Sequence, residues 1–221
     1  MSLLSCVEIE PGKPADAAVI WLHGLGASGH DFEPVVPHLG LPKDSAVRFV
    51  FPHAPSIPVT INGGMSMPAW YDILAVSLER EVDLEQLRAS ATQLHRLIDR
   101  EIERGIASTR IVVAGFSQGG AVSYEGALSY PEPLAGLIAL SSYFASAATV
   151  ARAEANSALP IHVFHGTRDP MVAEELGHQA TQILTAMGYA PLYTTYPIEH
   201  NVCAEEITAI GECLRRWLAL D

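Results

Sequence analysis

Ile111-Val112-Val113-Ala114-Gly115-Phe116-Ser117-Gln118-Gly119-Gly120 is the stretch that decides the fold. An apolar β-branched run precedes Gly-x-Ser-x-Gly, and a helix-like run from Ala121 to Tyr130 follows it. Strand, sharp turn and helix form the context in which this motif holds a serine on a strained turn at a strand end. The flanking glycines keep side chains out of the neighbouring strand and helix. The Ser117 Oγ is then exposed to a substrate carbonyl, and the backbone N–H of Gln118 can face a developing oxyanion. Away from that context the motif says little, because glycine and serine fill many turns.

Outward from the turn, continuous apolar runs recur at 17–22, 47–51, 134–140, 161–164 and 192–196. Unbroken rather than alternating runs suit strands buried on both faces, as in parallel sheets. Helical patterns lie between most of them. The clearest has Asp83 and Gln86 as a capping-box-like pair. Leu87, Ala91, Leu94, Ile98 and Ile102 follow as its stripe, and Gly105 ends it. Further helices are expected at 174–187, 204–218 and 31–39. Strands alternating with helices imply an α/β sheet with right-handed crossovers. The segment 52–68 is rich in proline, contains Asn62-Gly63-Gly64, and reads as a long ordered loop walling a site. No linker or repeat interrupts the chain, so residues 1–221 are expected to form one domain.

The 221 residues suffice for one full core. At 49% hydrophobic and 17% charged, the composition is that of a soluble globular protein. A formal charge of −12 argues against nucleic acid or an anionic membrane as partner. No apolar run approaches the roughly 20 residues that cross a bilayer. Leu3-Leu4-Ser5-Cys6 resembles a lipoprotein cleavage box, but no basic and apolar segment precedes it, so residues 6–9 read as an edge strand instead. Three scattered cysteines fit a reduced, cytoplasmic setting. Cys203 and Cys213, on one helix roughly 15 Å apart, are beyond disulfide reach.

Gly24-Leu25-Gly26-Ala27-Ser28-Gly29 competes as a dinucleotide fingerprint. That reading needs an acidic residue near the end of the next strand. The strand ends Phe49-Val50-Phe51-Pro52-His53, and Asp44 lies at its wrong end. The glycines are better read as a loop that brings the Leu25 N–H to the serine as a second oxyanion donor.

An activated serine needs a histidine, and the histidine needs an acid to fix its tautomer. The chain order in this fold is serine, acid, histidine. His162 and His165 sit three apart on a strand and face opposite ways, which also weakens any shared metal site. His178 falls on a helix surface. His200 follows the last strand and can reach back to Ser117. Asp169, in the turn Gly166-Thr167-Arg168-Asp169-Pro170, is the acid in the required order. Glu174 and Glu175 read as the solvated first turn of a helix.

With these residues placed, the chain resembles the phospholipase/carboxylesterase family of α/β-hydrolases, which includes acyl-protein thioesterases and small carboxylesterases. The resemblance spans nearly the whole chain. It rests on Trp21-Leu22-His23-Gly24-Leu25-Gly26, Asp31-Phe32, Pro52-His53-Ala54-Pro55, Met67-Pro68-Ala69-Trp70-Tyr71-Asp72 and Gly115-Phe116-Ser117-Gln118-Gly119-Gly120, with His165-Gly166, Asp169 and His200. It implies an α/β-hydrolase fold, a mostly parallel sheet with helices on both faces. It implies a triad of Ser117, Asp169 and His200, oxyanion donors at Leu25 and Gln118, and Trp70 beside an acyl groove. No cofactor or metal is implied. The chain departs from the family pattern after the acid, at Pro170-Met171-Val172-Ala173, and before the histidine, at Pro197-Ile198-Glu199. Glu199 would favour protonated His200 if it lay close.

Residues 140–159 are too few for a large helical cap. An open site is expected, walled by 52–68 and 142–147, with Leu3, Met65, Met67 and Phe144 as apolar candidates for its groove. The expected activity is hydrolysis of short- to medium-chain carboxylic esters. An acyl-protein thioesterase or lysophospholipase is the alternative, and a non-catalytic binding module a remote one. The sequence leaves a homodimer open.

Overall fold

The computed structural model describes residues 3–75 and 80–220. Seven strands form the main sheet. They are β1 (Cys6–Ile9), β2 (Ala17–Leu22), β3 (Val47–Pro52), β8 (Ile111–Phe116), β9 (Gly136–Leu140), β10 (Ile161–Gly166) and β11 (Leu192–Tyr196). Between β3 and β8 in the chain lie two small hairpins, β4 (Ser56–Val59) with β5 (Met65–Pro68) and β6 (Ile73–Ala75) with β7 (Glu81–Val82). The main sheet runs β1-β3-β2-β8-β9-β10-β11. Only edge strand β1 is antiparallel, and the other pairings are parallel.

Every residue of β2 and β3 is buried, and the reason is two-sided cover. Ala18, Ile20 and Leu22 join one core with Leu87, Leu94 and Ile98 of α1 (Leu84–Glu103), Val122 of α2 (Gln118–Ser129) and Leu184 of α3 (Glu174–Ala186). Ala17, Val19 and Trp21 face the other core with Ile210 and Leu214 of α4 (Ala204–Trp217). The strand period of two thus sorts one sequence run into two cores. Residues 141–160 hold one short 3₁₀ turn at Glu154–Asn156, so no large cap covers the sheet. Among the described residues, no helix is long and apolar enough to cross a membrane, and all three cysteines are free.

Three local expectations change. The helix expected at 31–39 is a 3₁₀ helix, Glu33–His38. Pro37 removes an N–H that an α-helix would use there, whereas Pro34 in the first turn removes none, and i→i−3 bonds such as Leu39 N–H to the Val36 carbonyl hold the segment. Residues 52–68 are not an irregular loop: they carry the β4–β5 hairpin. Gly63 and Gly64 turn the chain at φ 67° and 75°, conformations open to glycine. Asp83 does cap α1, accepting from the N–H groups of Glu85 and Gln86 at 3.0 Å each. Gln86 does not complete a capping box, because the Asp83 N–H already donates to the Asp72 carbonyl. Its carboxamide oxygen accepts from the Asp72 N–H instead.

Candidate active site

Ser117 stands between β8 and α2 with φ 53° and ψ −117°. A left-handed φ is costly for a serine and persists only where the surroundings enforce it. Here the Ser117 N–H donates to the Leu140 carbonyl at 2.8 Å, and the Ser142 hydroxyl donates to the Ser117 carbonyl at 2.6 Å. The turn is also tightly packed. A Cβ on Gly119 would sit 2.5 Å from the His23 carbonyl oxygen, and one on Gly115 would collide with the Gly119 carbonyl. Glycine at both positions lets the strand, the turn and the 23–26 loop approach one another.

His200, in the segment between β11 and α4, closes on this turn. Its Nε2 accepts from the Ser117 hydroxyl at 2.9 Å, and its Nδ1–H donates to Asp169 Oδ2 at 2.6 Å. Phe116 supports the ring, with centroids 4.7 Å apart. Asp169 Oδ1 accepts from the N–H groups of Met171 and Val172, each at 2.8 Å. Burial raises the Asp169 carboxyl, but the bonds from His200 and from those two amides outweigh it and hold the group below its usual range. The acid is therefore ionised at neutral pH and fixes the proton of His200 on Nδ1. Glu199 is exposed and, among the described residues, makes no ion pair with His200.

The loop after β2 lies on the other side of Ser117. His23 is 1% exposed and braces it from within. Its Nδ1–H donates to the Gly24 carbonyl at 2.7 Å, while its Nε2 accepts from the Ala54 N–H at 3.1 Å. Burial lowers the His23 pKa, which keeps Nε2 free to accept. Gly26 is tied by its N–H to the Pro68 carbonyl. Gln118 opens α2, so its N–H has no carbonyl within the helix. Its side chain is used separately: Oε1 accepts from the Trp70 N–H and Nε2–H donates to the Tyr71 carbonyl.

A cavity of about 370 Å³ opens at Ser117. Leu25, Gln118, Phe116 and His200 line it, so the two residues expected to supply the oxyanion donors border the same space as Ser117 and His200. Gly24, Ala27 and Asp31 border it on the side of the loop after β2, and Ile61, Ile73, Arg80, Tyr143 and the stretch 170–172 complete the walls. The structure does not bring Trp70, Met65 or Phe144 to this cavity. Trp70 is 2% exposed, and its indole N–H donates to the His23 carbonyl at 2.8 Å. It packs behind the 23–26 loop and borders a smaller apolar hollow with Leu4, Pro55 and Ile57. Met65 points to solvent from the β4–β5 hairpin, at 65% exposure. Phe144 is buried against Tyr124, ring centroids 4.8 Å apart. The hairpin contributes Ile61 instead, and the 142–147 segment contributes Tyr143.

Arg80, Ile73 and Met171 have no motif to announce them. They meet only because β6, which carries Ile73, Arg80 just before β7, and the turn after β10 converge. The Arg80 guanidinium donates to the Met171 carbonyl and lies 5.1 Å from the centre of the Tyr143 ring. His162 and His165 face opposite sides of β10, as their spacing predicts: one meets Cys213 and Thr194, the other the Val172 carbonyl. Among the described residues, no group of three His, Cys, Asp or Glu side chains is placed to hold a metal ion.

Comparison with known proteins agrees with this architecture. The sequence model of the phospholipase/carboxylesterase family matches residues 5–218. Acyl-protein thioesterase 1 of Neurospora crassa is 43% identical over 213 residues, covering 91% of this chain and 87% of that protein. Acyl-protein thioesterase 1 of Schizosaccharomyces pombe is 40% identical, covering 82% of this chain and 81% of its own. The crystal structure of Zea mays acyl-protein thioesterase 2 superposes with a TM-score of 0.86 at 28% identity, over 97% of this chain and 99% of its own. With an α/β-hydrolase fold, a match across 5–218 and relatives of this kind, the chain is a hydrolase of the esterase or thioesterase type and belongs to the phospholipase/carboxylesterase family.

Proposed function

We propose that the chain hydrolyses short- to medium-chain carboxylic esters through an acyl-enzyme on Ser117. The observation that carries this reading is the unbroken relay Asp169–His200–Ser117, with links of 2.6 and 2.9 Å. His200 Nε2 takes the Ser117 proton as Oγ attacks the ester carbonyl. The N–H groups of Leu25 and Gln118 receive the oxyanion, each worth about 3 kcal/mol when aligned. His200 then returns the proton to the leaving alcohol. Water, deprotonated by the same imidazole, attacks the acyl-enzyme and releases the acid. Asp169 stays ionised throughout and stabilises the imidazolium. No step calls for a cofactor.

The 370 Å³ cavity, uncapped and walled by Ile61, Ile73 and Tyr143, supports an acyl group of modest length. A second reading, an acyl-protein thioesterase or lysophospholipase, is favoured by the names of the relatives at 36–43% identity. The charge of −12 favours a neutral small ester or thioester over nucleic acid. The one-domain reading is supported by the seven-stranded main sheet, whose strands come from both halves of the chain, β1, β2 and β3 from one and β8 to β11 from the other. The three free thiols support a reducing, cytoplasmic location.

The test measures kcat/KM on p-nitrophenyl esters from C2 to C16 and on a palmitoylated peptide, with fluorophosphonate labelling alongside. Maximal rates at short and medium chains, with labelling and turnover both lost in Ser117→Ala, are expected. A sharp preference for long chains or the peptide would replace the first reading by the second. A wild-type protein that neither turns over esters nor labels would leave a non-catalytic binding module.

A further inference from the structure

His165 is fully buried at the end of β10, and the relay described above makes no use of it. Its Nε2 lies 2.9 Å from the Val172 carbonyl. A carbonyl only accepts, so Nε2 carries the proton. Its Nδ1 is buried with no partner and faces Gly177 of α3, where a Cβ would collide with it. The distance from Nε2 to Asp169 Oδ2 is 3.7 Å, too long for a hydrogen bond. His165 therefore makes no hydrogen bond to the acid itself and is bonded instead to the turn that carries it.

That turn is held from two sides. The N–H groups of Met171 and Val172 point inward to Asp169 Oδ1, and the Val172 carbonyl points outward to His165. The same residue, Val172, thus both grips the carboxylate and is gripped by the imidazole. Oδ1 is occupied by the amides, which leaves Oδ2 to His200. We propose that His165 is a positioning residue: by anchoring the Val172 carbonyl it fixes the Asp169 carboxylate against His200. This rests on the triad reading given above.

The charged neighbours of His165 are Asp169 in the turn, Glu174 at the start of α3 and His200 across the site. Burial lowers its pKa, and the Val172 carbonyl, Asp169 and Glu174 only partly oppose that. Protonation would also bury an Nδ1–H without an acceptor. His165 consequently stays neutral while an imidazole of ordinary pKa titrates, and serves as a fixed donor.

Three variants test this. His165→Gln places an amide N–H where Nε2 stands, His165→Met has the same reach without a donor, and Gly177→Ala pushes a methyl group against Nδ1. For His165→Met and Gly177→Ala, kcat is expected to fall by roughly 10- to 100-fold with KM nearly unchanged, the size expected when a reacting group is displaced by a fraction of an ångström. The acid limb of the kcat/KM profile should move to lower pH, because a misplaced carboxylate stabilises the imidazolium less. His165→Gln should retain both rate and limb. The downfield proton resonance of His200 Nδ1–H gives a readout independent of turnover. It is expected in the wild type and His165→Gln, and shifted upfield in His165→Met. A folded His165→Met with the wild-type resonance overturns the inference, even in a protein without turnover. So does a His165→Gln that loses the resonance as fully as His165→Met, since the imidazole would then matter for its shape alone.

Discussion

The backbone N–H of Trp70 donates to the side-chain oxygen of Gln118 at 2.8 Å, in a fully buried contact between residues 48 positions apart. The same carboxamide donates to the Tyr71 carbonyl at 2.7 Å. Both hydrogen-bonding groups of one side chain tie the strap 69–71 to the turn that carries Ser117. Trp70 in turn holds the His23 carbonyl, so the strap also braces the 23–26 loop.

Replacing Gln118 by Ala would strand the Trp70 N–H and the Tyr71 carbonyl in a dry environment, at about 1–3 kcal/mol each. Calorimetry should show a lower melting temperature, by roughly 2–4 °C per kcal/mol for a chain of this size. Because the Gln118 backbone remains, kcat should fall through loosening of the loops rather than through loss of an oxyanion donor. A melting temperature within 1 °C of wild type would show, by the same scale, that the strap is held by packing alone.

Asp169→Asn removes the charge while keeping the shape. The amide oxygen can still accept, but the favoured tautomer of His200 and the stabilisation of its protonated form are lost. A decrease in kcat on the order of 10³–10⁴-fold is expected in stopped-flow or steady-state assays, with substrate binding little changed. Fluorophosphonate labelling of Ser117 should slow in parallel. A loss below about tenfold would remove Asp169 from the acid role.

Arg80 bridges two walls of the cavity, reaching the Met171 carbonyl while covering the Tyr143 ring. Tyr143 cannot yield, since its hydroxyl is bonded to that of Tyr71 at 2.7 Å inside the core. Arg80→Ala should open this side and raise the ratio of C12 to C4 ester kcat/KM by about tenfold, a gain of the size a few extra apolar contacts supply. Ser117 labelling should be unchanged. An unaltered chain-length profile would mean that Arg80 does not bound the acyl site.

Stability should depend on pH from two buried groups with opposite signs. Glu206 in the first turn of α4 is fully buried, and among the described residues no side chain pairs with its oxygens. Burial pushes its carboxyl up to about 8 from an ordinary 4.5. Between those values the unfolded chain has released a proton that the folded chain retains, so stability falls as pH rises through this window. Burial lowers His162 from 6.5 to about 4. There the unfolded chain gains a proton that the folded chain refuses, so stability falls as pH drops from 6.5 toward 4. Glu206→Gln should raise the melting temperature near pH 8 and have little effect near pH 4.5, where the folded carboxyl is protonated and the unfolded one only half ionised. A shift of equal size at the two pH values would mean that packing, not ionisation, sets the cost of Glu206.

Much of this was legible along the chain, for a local reason. A buried parallel strand is a largely apolar run because both its faces are covered; β2, β8 and β9 follow that rule unbroken, while β3 carries Arg48 and β10 carries His162 and His165. The turn at Ser117 is written in its glycines, since only they allow the His23 carbonyl to come so near Gly119. Chain order together with placement just after a strand selected Asp169 and His200, and the fold bonds His200 to both Asp169 and Ser117. The helix expected at 31–39 became a 3₁₀ helix because Pro37 cannot supply an α-helical N–H.

The walls of the cavity were not legible. Ile61, Ile73, Arg80 and Met171 come from four separate segments, and no spacing in the sequence relates them. Trp70 shows the converse case: a conspicuous motif residue whose indole turns inward because the His23 carbonyl needs a donor. The sequence by itself determined the sheet, the strained serine and the carboxylate and imidazole hydrogen-bonded in line with it, because each depends on local backbone chemistry or on strand order. Only the tertiary structure decided which side chains surround the substrate and which brace the relay from behind, because those contacts are set where separate loops converge over the strand ends.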